Sequence, residues 1–332
     1  MLVFKIFEQL GGADGPNPWR TKAYIYTDRL LVMPDVSFEG YTTRPHHEEL
    51  DLNHVFLAMQ SLARFHAAFA NYETKRIRDD KVTLGFFHQH EKVLKEPAFG
   101  DTPFIAAAAK LTGALLHEFS TKPYIDIPQS KLREQFIKAC ESLTVYEETL
   151  NVLLHKDLWV KNIMFKYENG KPTNAILIDF QCIRYGPPAF DIMVFLYLNT
   201  SKDFRDAHER AAIRHYYEWF TKELSDCTKK RLQQLRYEWN RLLEWCERAR
   251  TFGMLEAMVI FPFVLMEPAA AQRTFDDPDT YSKYIEDRDE PVLEQARLCH
   301  IYKSRQLNVS QEFIDRYILT VSEDTVEGSK ET

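Results

Sequence analysis

The chain has 332 residues, 45% hydrophobic and 27% charged, with 42 Lys/Arg against 49 Asp/Glu for a formal net charge of −7. That apolar share is ample for one large domain or two small ones, and an acidic balance with no Lys/Arg run argues against nucleic acid as the main partner. Five cysteines (Cys140, Cys182, Cys227, Cys246, Cys299) are scattered and odd in number with no CxxC pair, which points to a reducing compartment rather than a disulfide framework.

In chain order, MLVFKIFEQLGG carries Lys5 and Glu8 inside its apolar stretch, so it has no signal-peptide core. Gly11-Gly12 and Gly15-Pro16-Asn17-Pro18 form a loop by composition, without the G-K-[ST] or G-x-G-x-x-G of a phosphate loop. Lys22–Tyr26 and Arg29–Val32 read as a hairpin around Thr27-Asp28 that runs into Met33-Pro34-Asp35-Val36. Residues 38–45 read as a loop. Val55, Phe56, Met59, Leu62, Ala63 and Phe65 then recur at helical spacing and predict a helix over about 52–71. His66 on that helix reads as a structural histidine near the site, and His46-His47 and His88/His90 as surface-loop residues.

Further helices are expected over 104–119, 130–148, 192–198, 204–224, 229–250, 252–266, 292–303 and 311–319, with an acidic loop at 276–290. Met258–Met266 (MVIFPFVLM) is too short to span a bilayer and contains Pro262, so it reads as a buried helix. Trp239, Trp245 and Phe261 read first as core residues and second as pocket walls. The polar tail from Ser322 reads as disordered.

One stretch carries chemistry: LLHKDLWVKNIMFKYENGKPTNAILIDFQCIRYGPPAFD, from Leu153 to Asp191. An apolar run ends in His155, followed by Asp157 and Asn162. A strand, an Asn169-Gly170 turn and a second strand then deliver Asp179. This order gathers three oxygen-bearing side chains at one end of a hairpin. A carboxylate and a carboxamide within reach of one ion suit Mg²⁺, and the other carboxylate, Asp157, is free to take a proton from a substrate hydroxyl. Taken singly, Asp157, Asn162 and His155 would be turn, cap or buried structural residues. Their joint spacing is what carries the reading.

H-x-D-x-x-x-x-N followed by an apolar strand and Asp matches a kinase catalytic loop and metal-binding Asp. His155-Lys156-Asp157-Leu158-Trp159 in place of H-R-D and Ile178-Asp179-Phe180-Gln181 in place of D-F-G depart from the protein-kinase pattern, and no A-P-E follows. With Gln181–Asp191 (QCIRYGPPAFD) and Ser61–Ala67 (SLARFHA), the set resembles the ecdysteroid kinase-like family, within the aminoglycoside phosphotransferase and choline kinase branch, over roughly residues 30–319. The resemblance implies an α+β, protein-kinase-like fold with a small N-terminal lobe and a large helical C-terminal lobe. Expected boundaries are 1–36 for the lobe remnant and hinge, 37–320 for the large lobe and 321–332 for the tail.

The resemblance also implies ATP and Mg²⁺ as cofactors and a small-molecule alcohol (steroid-like favoured) as partner. The cysteine usage and the lack of a signal-peptide core or spanning run give the expectation of no membrane association and a cytoplasmic location. The resemblance makes Asp157 the general base and Asn162 and Asp179 the metal ligands. His155 and Asp191 would orient the loop, Trp159 would pack beneath it, and the Met33–Asp35 backbone would meet the adenine. The strand Lys and helix Glu that hold ATP in kinases have no match, since Lys5, Glu8 and Lys22 are misplaced for those roles. The chain thus reads as a member lacking the first part of its small lobe. A pseudokinase that binds without turnover, and a choline- or aminoglycoside-type kinase using the acidic loop, are the alternatives.

Overall fold

A computed structural model describes residues 2–79, 85–96, 98–122, 124 and 127–319. The tail expected at 321–332 lies outside the described residues. In chain order come α1 (Leu2–Leu10), β1 (Ile25–Tyr26), β2 (Leu31–Val32), a 3₁₀ turn (Val36–Glu39), β3 (Tyr41–Thr43), α2 (Leu52–Asp79), α3 (Phe86–Leu94), α4 (Pro103–Phe119) and α5 (Gln129–Ser142). Then follow β4 (Val152–Leu154), β5 (Ile163–Glu168), β6 (Lys171–Leu177), β7 (Arg184–Gly186), α6 (Ala189–Asn199), α7 (Lys202–Glu223), α8 (Asp226–Gln234) and α9 (Trp239–Val264). Helices α10 (Pro268–Phe275), α11 (Pro278–Glu286), α12 (Asp289–Leu298) and α13 (His300–Ile314), with a last π turn (Asp315–Leu319), complete the described chain. The class is α+β: helices dominate and the described sheets are small and antiparallel.

Two compact units are present: Met1–Lys95 with Thr144–Ala249, and Glu96–Leu143 with the residues from Arg250 onward. The first carries a three-stranded sheet in the order β3-β5-β6. Asn169 and Gly170 take φ 52° and 75°, the left-handed pair that a two-residue hairpin turn demands. Ile163 pairs with Leu177 and Met164 with Ile176, so the register carries the ends of both strands to the same place. Helix α2 covers this sheet with Val55, Met59, Leu62, Phe65 and Phe69, all fully buried and spaced three to four apart as one helical face requires. Removing a ring such as Phe65 costs about 3–5 kcal/mol in a packed core.

The second unit gathers α4, α5, the later part of α9 and α11–α13. Arg288 is buried between the rings of Phe104 and Phe263, 5.0 and 5.4 Å from their centroids, and donates to the carbonyls of Ile285 and Phe104. Burial pulls its guanidinium down to about 10. The carbonyl of Pro262 accepts from the hydroxyls of Tyr284 and Tyr302 at 2.9 and 3.0 Å. Among the described residues no single helix is long and apolar enough to cross a membrane.

Several expected boundaries are corrected. Residues 38–45 hold part of a 3₁₀ turn and β3, not a loop, because Tyr41–Thr43 finds the free edge of β5. Helix α2 runs on to Asp79 and α5 stops at Ser142. His88 and His90 lie on α3 rather than in a loop. The helix expected over 229–250 is broken at Leu235–Glu238, where Arg236 takes φ 51°, and its second half is continuous with the stretch expected over 252–266. The acidic segment 276–290 is largely helical: Asp277 caps α11 by accepting from the Thr280 N–H, Pro278 sits in the first turn, and Asp289 and Glu290 open α12. Those residue types suit helix N-termini, and a reading by charge alone takes them for a loop.

Candidate functional site

All the residues singled out around the hairpin lie in the first unit. Fully buried β4 runs out to His155, and the chain reverses through Lys156, whose φ of 69° is uncommon for a side chain of that size. Asp157 and buried Leu158 follow. A 3₁₀ turn capped by half-buried Trp159 then presents Asn162 at the start of β5. On the other strand β6 ends at Leu177, Ile178 donates its N–H to the Asn162 carbonyl at 3.0 Å, and Asp179 takes φ 61° and ψ 67°. Left-handed non-glycine residues on both flanks of one hairpin mark a backbone held in place by its surroundings.

Those surroundings can be named. The Asp191 carboxylate, in the first turn of α6, accepts from the backbone N–H groups of His155 at 2.6 Å and Lys156 at 2.8 Å. Its Oδ2 also meets His66 Nε2 at 3.1 Å, and His66 Nδ1 lies 2.7 Å from the Tyr216 hydroxyl. Asp191, His66, His155 and Tyr216 are all buried. Burial holds the His66 imidazole below its ordinary range against the pull of Asp191. The neutral ring then donates from Nε2 to Asp191 and accepts the Tyr216 proton at Nδ1. Thus α2, α6 and α7 jointly fix the loop that carries Asp157. Sequence reasoning placed His66 near the site as packing. Its role as Asp191's partner has no signal beyond its position on the buried face of α2.

His155 bridges the two halves. Its Nδ1 accepts from the Asp157 N–H at 3.3 Å, which leaves Nε2 to donate to the Ile178 carbonyl at 2.9 Å. Asn162 Nδ2 donates to the Asp157 carbonyl at 2.8 Å and to Asp157 Oδ2 at 2.9 Å, keeping its carbonyl oxygen as an acceptor. Asp157 is half-buried. Burial pushes its carboxyl above the ordinary carboxylate range, nearby His155 opposes this, and the charge of Asp179 adds to it. Two carboxylates that feel each other beside a carboxamide form an oxygen-only donor set, which suits a hard cation. Among the described residues no group of three or more His, Cys, Asp or Glu side chains converges as metal ligands.

Asp179 also lines a cavity of about 610 Å³ together with Met33, Asp35, Met164, Leu177 and Phe180. Three of the four residues expected to bind a cofactor, Met33, Asp35 and Asp179, therefore share one wall. Asn162 and Asp157 are not on that wall. Asp35 also caps the 3₁₀ turn, and the Ser37 groups it accepts from draw its carboxyl down. The floor is aromatic: Phe180 packs on His155 at 4.6 Å and on Phe7 of α1 at 4.6 Å, with Trp19 and Phe65 behind. Trp245 is buried against Tyr146 at 4.6 Å, and Phe261 is buried in the second unit. Both are core residues.

The model of the ecdysteroid kinase-like family matches residues 17–229. An uncharacterized kinase-like protein of Caenorhabditis elegans is 36% identical over 74 residues, which span 22% of this chain and 19% of that protein's length. A solved structure of ethanolamine kinase from Plasmodium vivax overlays with a TM-score of 0.43 at 15% identity, covering 91% of this chain and 72% of its own.

Proposed function

The chain belongs to the ecdysteroid kinase-like family, and from that premise we propose that it transfers the terminal phosphoryl group of ATP to a hydroxyl of a small molecule, an ecdysteroid-type alcohol being the favoured acceptor. Asp157 is the general base. The acceptor oxygen forms its bond to phosphorus as the bond to the leaving ADP oxygen breaks, and the hydroxyl proton passes to Asp157. A carboxyl pushed up by burial is the stronger base for that transfer. Asn162 and Asp179 hold Mg²⁺, which supplies neutralisation of the phosphate charge when bound. Asn162 Nδ2 aims the Asp157 carboxylate, and His155 and Asp191 keep the loop in register. The Met33–Asp35 stretch takes the adenine, with Met33 and Asp35 offering the N–H groups that Pro34 lacks. A cytoplasmic location and a small-molecule partner go with this reading.

The observation that carries the reading is the coupling of Asp157 to both partners: a 2.9 Å hydrogen bond from Asn162 and the charge of Asp179. A second reading, a member that binds ligand without turnover, draws support from the cavity wall. Its described residues include the carboxylates of Asp35 and Asp179 and no Lys or Arg. An ATP-consumption assay across alcohols, with ecdysone first, separates the two. Turnover that is abolished by Asp157→Asn supports the first reading, and nucleotide binding with no turnover on any alcohol supports the second.

A further inference from the structure

Arg20 is buried, and its donors go to backbone carbonyls: Nη2 to Phe7 at 2.7 Å, Nε to Gly11 at 2.9 Å and Nη1 to Thr21 at 3.0 Å. The first two are carbonyls at the C-terminal end of α1, where a helix leaves acceptors unfilled and carries partial negative charge. The guanidinium also lies 5.0 Å from the Phe7 ring centroid and 5.5 Å from that of Trp19. The backbone of the same short segment pairs with the last residue of β6. Arg20 bridges Leu177 in parallel, and the Leu177 N–H donates to the Trp19 carbonyl at 2.8 Å. One side chain therefore ties the end of α1 to the segment lying beside the turn that presents Asp179. The contact is completed by Phe7, whose ring meets Phe180 edge-on at 4.6 Å, one residue past Asp179.

We propose that Arg20 is a positioning residue for the Asp179 turn: by clamping the Phe7 and Gly11 carbonyls it holds the Phe7 ring against Phe180 and so keeps Asp179 in its left-handed conformation at the cavity wall. A planar fork aims separate N–H groups at the two carbonyls from one buried position, whereas a lysine ammonium gathers its donors at a single point. The consequence for metal binding rests on the reading of Asp179 as a ligand, whereas the order of the turn does not depend on that reading.

The test is amide hydrogen exchange on the full chain, native against Arg20→Lys. The amides of residues 178–182 are expected to exchange about tenfold faster in the variant, together with those of α1, while the β5–β6 hairpin beyond them is unchanged. Acceleration confined to α1 and residues 11–21 overturns the proposal, because Arg20 is then a helix cap and nothing more. Should Arg20→Lys fail to fold, Phe7→Leu keeps every Arg20 hydrogen bond and thins the contact to Phe180. It is expected to loosen 178–182 likewise, and a folded Phe7→Leu with native exchange there also overturns the proposal. In parallel, Mn²⁺–ATP binding followed by the spin signal of Mn²⁺ is expected to weaken about tenfold in folded Arg20→Lys. A native chain that binds no Mn²⁺–ATP sinks the ligand reading of Asp179 and leaves the exchange pattern to decide the role of Arg20.

Discussion

Asp157 holds its charge where burial and Asp179 both oppose it, so its folded carboxyl binds a proton more tightly than the unfolded one. The sign follows: the ionised group works against the fold at neutral pH, and that penalty vanishes as pH falls through the raised value. Asp157→Asn is accordingly expected to raise the melting temperature at neutral pH while cutting turnover by about 10²–10⁴-fold. A fall in melting temperature with turnover intact would contradict both roles. His66 behaves oppositely. Its folded value is lowered by burial, so below the unfolded value of about 6.5 the unfolded chain takes a proton that the folded chain resists. Stability is expected to drop as pH falls below about 6.5 and to go on dropping until the folded ring itself takes the proton, and His66→Asn to flatten part of that drop in thermal scans. At this scale the placing of Asp157, Asn162 and Asp179 about one hairpin was legible, because spacing there is a local property. The bond from His66 to Asp191 was not, since it joins α2 to α6 across a long stretch of chain that no local pattern reports.

At the scale of elements, the strongest local signals held. Asn169-Gly170 turns the hairpin, and the apolar stripe of α2 meets the sheet. Boundaries failed where two signals compete. The acidic residues of 276–290 look like a loop by charge and act as caps and partners in the fold, with Lys110 reaching both Asp287 and Asp289. Arg236 breaks a run whose apolar periodicity continues through it. Gly12 shows the same dependence on context. It takes φ 82°, and a methyl group built there would sit 1.8 Å from Trp19 Nε1. Gly12→Ala is expected to destabilise by about 1–3 kcal/mol through overpacking, with a further 1–2 kcal/mol from the left-handed backbone. Denaturant titration checks this, and an unchanged midpoint would mean that the loop between α1 and Trp19 relaxes freely.

For the whole molecule, the proposed nucleotide binding has to contend with the charges of the cavity. A wall carrying Asp35 and Asp179 with no described Lys or Arg offers a triphosphate no cationic donor, and each hydrogen bond from such a donor is worth about 1.5–3 kcal/mol. On the proposed reading, affinity is therefore expected to be weak and to depend on a divalent cation that Asn162 and Asp179 would hold. The most direct measurement is a calorimetric titration of the chain with Mg²⁺–ATP, repeated with Asp179→Asn and Asp157→Asn. One weak site per chain is expected, abolished by Asp179→Asn and left nearly intact by Asp157→Asn. Tight binding indifferent to Asp179→Asn would contradict it.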